Sequence, residues 1–124
     1  MRVLVTWGSK RGGTAGIGTT LAEALRKNGL DVVAAPVAKA GSPAGFDAVI
    51  VGGALYAGLW HGGARRYVQR HLQRLRRVPT WLFSSGPLDD SAERGAIPAT
   101  PQVAVLGERV GALGHATFGG RPTR

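Results

Sequence analysis

The chain contains no cysteine and only seven acidic residues among its 124. The absence of cysteine excludes disulfide bridges, thiolate catalysis and cysteine-ligated metals. Three histidines without a matching carboxylate cluster predict no zinc site. No apolar run reaches the 18 residues of a membrane-spanning helix. The N-terminus enters an apolar segment without a signal-peptide pattern, so the sequence predicts a cytoplasmic protein.

The scarcity of acids leaves a strongly basic chain. Sixteen Lys and Arg residues oppose the seven acids, which gives a formal net charge of +9. Such a charge favours anionic partners, although an arginine-rich surface exposed to solvent explains it equally well. Nucleic acid is the least expected of these partners, because no nucleic-acid-binding motif occurs and few aromatic residues lie among the arginines.

Hydrophobic periodicity predicts strands that alternate with helices along the chain. The predicted strands cover residues 2–7, 32–37, 46–52, 80–84 and 115–118, and the predicted helices cover residues 14–28, 64–77 and 101–111. The stretches at residues 38–45, 53–63 and 85–100 are predicted to be connections or loops. Alternating strands and helices imply right-handed βαβ units and a mainly parallel sheet. In such a sheet, ligands bind beyond the carboxyl ends of the strands.

The loop after the first strand has the composition of a phosphate site. It reads GSKRGGT over residues 8–14 and leads directly into a helix. The unpaired N–H groups at a helix N-terminus attract anions, and glycines let the backbone approach a phosphate closely. Ser9 and Thr14 add hydroxyl donors. A glycine-rich turn without a ligand remains the alternative.

Two other phosphate motifs fit poorly. A Walker loop would end in Gly-Lys-Ser/Thr, which is absent. A dinucleotide fingerprint begun at Gly16 and Gly18 fails at its third glycine, where Leu21 stands. The second predicted strand also ends without the acid that this fingerprint needs.

Residues 9–14 (SKRGGT) resemble the flavodoxin phosphate loop, Ser/Thr-x-x-Gly-x-Thr. Residues 52–61 (GGALYAGLWH) and 83–88 (FSSGPL) continue the match after the third and fourth strands. This ordered trio is similar to the flavodoxin-domain branch that includes menaquinone-dependent protoporphyrinogen oxidases. The resemblance implies one flavodoxin-like FMN-binding domain over residues 1–124. Its fold would be α/β, a doubly wound parallel sheet of five strands in the order 2-1-3-4-5.

The resemblance also implies roles for individual residues. Those expected to hold the FMN phosphate are Ser9, Lys10, Arg11, Gly12, Gly13 and Thr14. Those expected to line one side of the isoalloxazine are Ala54, Leu55, Tyr56, Ala57 and Gly58. Those expected to line its other side are Ser84, Ser85, Gly86 and Pro87. A flavin needs flat apolar walls and nearby backbone groups that tune its redox potential. His61 is predicted to be a helix-entry or surface residue, and no catalytic residue is identified.

The chain departs from the family pattern in its charge. Electron-carrier flavodoxins are acidic, whereas the predicted helix at 64–77 carries six arginines and no acid. The basic face of this helix is formed by Arg65, Arg66, Arg70, Arg74 and Arg77. We expect it to meet an anionic membrane surface, porphyrin carboxylates or an acidic protein. The protein is therefore predicted to be cytoplasmic, with a membrane-peripheral placement as one option.

A second departure concerns the end of the fold. The family pattern has a helix after the fifth strand, whereas this sequence stops six residues after Phe118. One sheet face would then keep only the helix at 14–28, and three outcomes are open: a homodimer covers the apolar patch, another partner covers it, or the fold is only marginally stable. The predicted function is that of an FMN-binding redox protein, either an electron carrier or a quinone-linked oxidoreductase. The alternative is a degenerate flavodoxin fold that serves as a basic, non-enzymatic interaction module.

Overall fold

The computed structural model describes residues 1–8, 13–56, 59–86 and 101–119. The strands are β1 (Arg2–Gly8), β2 (Asp31–Pro36), β3 (Ala48–Tyr56), β4 (Leu59–Trp60), β5 (Thr80–Gly86) and β6 (Gly114–Gly119). The helices are α1 (Gly13–Lys27), α2 (Val37–Ala40), α3 (Gly62–Arg70), α4 (Leu72–Arg76) and α5 (Pro101–Val110).

Five strands pair in parallel in the order β2-β1-β3-β5-β6, and short β4 pairs antiparallel with the end of β3. The five parallel strands therefore follow the predicted 2-1-3-4-5 order, and the predicted flavodoxin-like α/β fold is confirmed. The predicted edge position of the second strand is also confirmed, because β2 lies at one end of the sheet.

The sheet separates two apolar cores, because successive side chains of a strand point to opposite faces. Along β1, Val3, Val5 and Trp7 pack with α1, whereas Leu4 packs on the other face with α3, α4 and α5. Both faces of β1 are thus buried, as a near-continuous apolar run in a parallel sheet predicts.

Two connections contain more structure than the sequence predicted. The predicted loop at 53–63 is wrong in part, because β3 continues to Tyr56 and the chain returns as β4. Gly53 suits this hairpin, since a Cβ there would lie 2.7 Å from the Trp60 indole. The predicted connection at 38–45 begins within α2.

The arginine-rich segment forms two helices rather than the predicted one. His71 interrupts it with φ −108° and ψ 22°, so α3 ends at Arg70 and α4 begins at Leu72. Leu75 of α4 is fully buried against the sheet. The segment after the break therefore still packs against the sheet through Leu75.

The α1 face of the sheet is only partly covered by the described helices. A groove of about 470 Å³ runs beside α1, and its walls include Leu21, Leu25, Ile50, Trp81 and Phe83. The Trp81 side chain is 38% exposed there. This is the face that the expected homodimer would cover, and that homodimer stays a prediction. Among the described helices, none combines the length and apolarity needed to cross a bilayer.

Candidate functional site

Three chain segments meet at the carboxyl edge of the sheet. In the strand register, Gly8 of β1 pairs with Gly53 of β3, and Gly53 pairs with Ser84 of β5. Ala54 pairs with Ser85 one step further along. The segments singled out in the sequence therefore begin side by side, at the edge where open α/β sheets bind ligands.

Helix α1 starts next to this edge and carries a buried hydroxyl in its first turn. Thr14 is 1% exposed, and its Oγ1 has no hydrogen-bond partner among the residues that the structure describes. The first turn of α1 contains no acidic residue, so nothing there opposes the positive end of the helix dipole. A buried hydroxyl without a partner costs about 1–3 kcal/mol. An oxyanion at the helix N-terminus would accept a hydrogen bond from this hydroxyl, so Thr14 fits a phosphate. Ser9, Lys10, Arg11 and Gly12 lie outside the described residues.

The β3–β4 hairpin forms the second segment of the edge. It pairs Leu55 with Trp60, and it closes with a hydrogen bond of 2.7 Å from the His61 N–H to the Ala54 carbonyl. Ala54 is buried and Leu55 packs against the core on the α3 side, so these two side chains face protein. Of the remaining predicted lining residues, Tyr56 ends β3, and Ala57 and Gly58 lie outside the described residues.

The end of β5 forms the third segment. Ser84 and Ser85 are both buried, and they belong to opposite faces of the sheet because they are consecutive in a strand. Gly86 ends the strand, and Pro87 lies outside the described residues.

The Ser84 hydroxyl of β5 contacts side chains of β4 and β6. It accepts a hydrogen bond of 3.1 Å from Trp60 Nε1, and it lies 2.9 Å from His115 Nε2. Burial lowers the pKa of His115, which favours the neutral ring, and this ring shares a hydrogen bond with the Ser84 hydroxyl. The sequence analysis did not identify His115. Its position follows only from the β5–β6 register, which pairs it with Leu82 beside Ser84.

His61 connects the hairpin to α3. It caps the helix, since its Nδ1 accepts a hydrogen bond of 3.1 Å from the Gly63 N–H. A Cβ on Gly8 would lie 2.6 Å from that Nδ1 and 2.8 Å from the Ala64 nitrogen. Glycine at position 8 therefore lets the start of α3 pack directly on the end of β1.

The arginines of α3 and α4 form a basic surface. Arg66, Arg70, Arg74 and Arg77 are exposed, and Arg65 is half-buried. Within the described residues, the single ion pair joins Arg2 to Asp31 at the other end of the sheet, at 3.6 Å. The basic surface is thus not neutralised by any described carboxylate.

Comparisons with known proteins agree with this geometry. A family model described as "Flavodoxin domain" matches residues 4–118. The protoporphyrinogen IX dehydrogenase [quinone] of Escherichia coli K12 is 27% identical over 86 residues, which are 68% of this chain and 48% of that protein. The chain thus spans about half the length of the curated relatives that it matches.

Solved structures give the same fold. The two-electron reduced flavodoxin of Megasphaera elsdenii superposes with a TM-score of 0.76 at 18% identity, covering 98% of this chain and 88% of that one. The rubredoxin oxygen:oxidoreductase of Desulfovibrio gigas gives a TM-score of 0.77 at 16% identity, over 99% of this chain and 31% of that one. The fold, the edge site and the family match together show that the chain belongs to the flavodoxin domain family, with FMN as the cofactor that this family indicates.

Proposed function

We propose that this chain is the FMN-binding part of an oxidoreductase that dehydrogenates an organic substrate and is reoxidised by a quinone. The substrate would lose two electrons and two protons, and the quinone would take up two of each to become a quinol. The name of the E. coli relative, which states both a porphyrinogen and a quinone, supports this assignment. The basic charge supports it further, because a dedicated electron carrier of this family would be acidic.

One observation carries the FMN assignment: the end of β1, the β3–β4 hairpin and the end of β5 are neighbours at one sheet edge. The segments that bind the phosphate and the isoalloxazine ring must be adjacent, because a short ribityl chain joins the two parts of FMN. When bound, FMN supplies one- and two-electron redox chemistry. The Thr14 hydroxyl would donate to the phosphate, together with N–H groups of the first turn of α1.

The hairpin would offer the ring mainly backbone groups, because the side chains of Ala54 and Leu55 face the protein. The bond between Trp60 and Ser84 supports this role by fastening the hairpin to β5, the strand that leads into the other lining segment. A membrane-peripheral placement stays a prediction for the exposed arginines of α3 and α4.

A Thr14→Val variant tests the phosphate assignment. Titrated with FMN, it should bind about 10-fold or more weakly than wild type, because one hydrogen bond to a charged group is lost. Riboflavin lacks the phosphate, so its affinity should not change. The unfolding free energy of the apoprotein should stay the same or rise, because the hydroxyl removed is buried and has no described partner.

Thr20→Val is the matched control, since Thr20 is exposed on the same helix. It should bind FMN as wild type does. Equal FMN affinity in Thr14→Val and wild type would contradict the phosphate assignment. A folded wild-type protein that binds no FMN, yet binds nucleic acid with a steep salt dependence, would favour the interaction module instead.

A further inference from the structure

We propose that the cleft between α2 and α3 binds the carboxylate end of an apolar organic substrate, beside the FMN site. The cleft has a volume of about 320 Å³, and its walls include Val37, His61, Gly63, Arg66, Tyr67 and Arg70. This inference rests on the proposed function, because it names the part of the substrate that the chain recognises.

The floor of the cleft is apolar. Tyr67 lines the cleft and is 4% exposed, and its hydroxyl already donates a hydrogen bond of 2.8 Å to the Gly41 carbonyl. Burial raises the pKa of Tyr67 to about 12, which keeps the group neutral. Half-buried Val37 adds a second apolar wall. Sites for small molecules typically combine such a floor with a few well-placed polar groups.

The rim of the cleft is positively charged. Arg66 and Arg70 are one helical turn apart, so they lie on the same side of α3. Neither forms an ion pair with any described carboxylate. The Arg66 guanidinium folds back over the start of α3, where a Cβ on Gly62 would lie 3.1 Å from its Nη1. The charge of Arg70 also acts on its neighbour His71, whose pKa is lowered by burial and by this arginine.

The cleft lies next to the candidate FMN site. His61 is one of its lining residues, and this histidine directly follows the β3–β4 hairpin. The same ring packs against the end of β1, as the 2.6 Å from its Nδ1 to a Cβ on Gly8 indicates. A molecule bound in the cleft would therefore be separated from the end of β1, which leads into the phosphate loop, only by the His61 side chain.

A carboxylate fits this arrangement better than a bare ion. Two guanidinium groups on one helix face can each donate paired N–H bonds to a carboxylate. Inorganic phosphate would gain nothing from the apolar floor, because it has no apolar surface to bury. The combination therefore points to an apolar body that ends in an acid.

Protoporphyrin IX is a suitable probe, because it is an air-stable dicarboxylate related to the substrate named for the E. coli relative. Its binding to the FMN-loaded protein is measured by fluorescence, alongside binding of its dimethyl ester. The Arg66→Gln/Arg70→Gln variant should bind the diacid about 10-fold or more weakly than wild type. The ester should bind weakly to both proteins, and a separate titration should give both the same FMN affinity.

Arg74→Gln/Arg76→Gln is the matched control, since it removes the same charge from exposed positions of α4, away from the cleft. It should bind the diacid as wild type does. Three results would overturn the proposal: no diacid binding by wild type, an equal loss in both double variants, or an ester that binds as tightly as the diacid. Failure of FMN to bind wild type would refute the proposed function instead, and the diacid titration of the apoprotein would still test the cleft.

Discussion

Two glycines in helix α1 should respond in opposite directions to the same substitution. A Cβ on Gly16 would have no atom within 4 Å outside its own helix and chain neighbours. A Cβ on Gly18 would lie 2.8 Å from Cζ3 of Trp7 and closer still to its Cε3. Trp7 is buried in the core between β1 and α1, so its ring has little room to move.

The size of each effect follows from two terms. Alanine is favoured over glycine in a helix interior by about 0.5–1 kcal/mol. Gly16→Ala should therefore raise the unfolding free energy by about that amount. Gly18→Ala gains the same helix term but overpacks the core, which typically costs about 1–3 kcal/mol. The difference between the two variants isolates the overpacking term, since the helix term is common to both.

Urea unfolding followed by far-UV circular dichroism measures both free energies. For a domain of this size, each kcal/mol corresponds to roughly 4 °C in Tm, so the variants should also separate clearly on heating. Two equally stable variants would show that α1 does not approach Trp7 as closely as the structure has it. A stabilised Gly18→Ala would refute the packing argument outright.

Two further predictions concern the hydrogen bonds of Ser84. Ser84→Ala should lower the unfolding free energy in urea by about 1–3 kcal/mol, because the buried hydroxyl bonds both Trp60 and His115, and an unchanged value would contradict those bonds. The lowered pKa of His115 means that the unfolded chain binds its proton more readily, so stability should fall as pH drops below about 6.5. His115→Gln should reduce the slope of that part of the pH profile, to which the lowered pKa of His71 also contributes, and an identical profile would contradict a half-buried neutral His115.

The sequence predicted the strands well, because a parallel sheet buries both faces of its strands, and the resemblance to flavodoxins supplied their order. Such strands are near-continuous apolar runs, as at Val3 to Trp7, and the alternation of strand and helix predicts parallel pairing through right-handed crossovers. The β3–β4 hairpin was missed because paired glycines usually indicate a loop. Gly52 and Gly53 are instead needed inside the strand, since a Cβ on Gly52 would overlap the ring of Phe83 and one on Gly53 would meet Trp60.

The meeting of the three segments at one sheet edge was predictable, whereas the direction of their side chains was not. Parallel topology alone brings the ends of neighbouring strands to one edge, so the three segments had to meet there. Which face a serine takes depends on the register of its strand and on partners distant in sequence. Ser84 turns to Trp60 and His115, which are 24 and 31 residues away, and no local pattern encodes either contact.

The spacing of the two cleft arginines on α3 lowers the stability of the helix. Like charges one turn apart destabilise a helix by about 0.2–0.5 kcal/mol, and Arg66 and Arg70 have that spacing without a described carboxylate between them. Stability alone would favour a glutamate at one of the two positions. A bound carboxylate would offset the repulsion, so the ligand-free Arg66→Gln/Arg70→Gln protein should be slightly more stable than wild type while it binds the diacid more weakly. A variant that loses stability and binding together would indicate instead that the two arginines serve the fold.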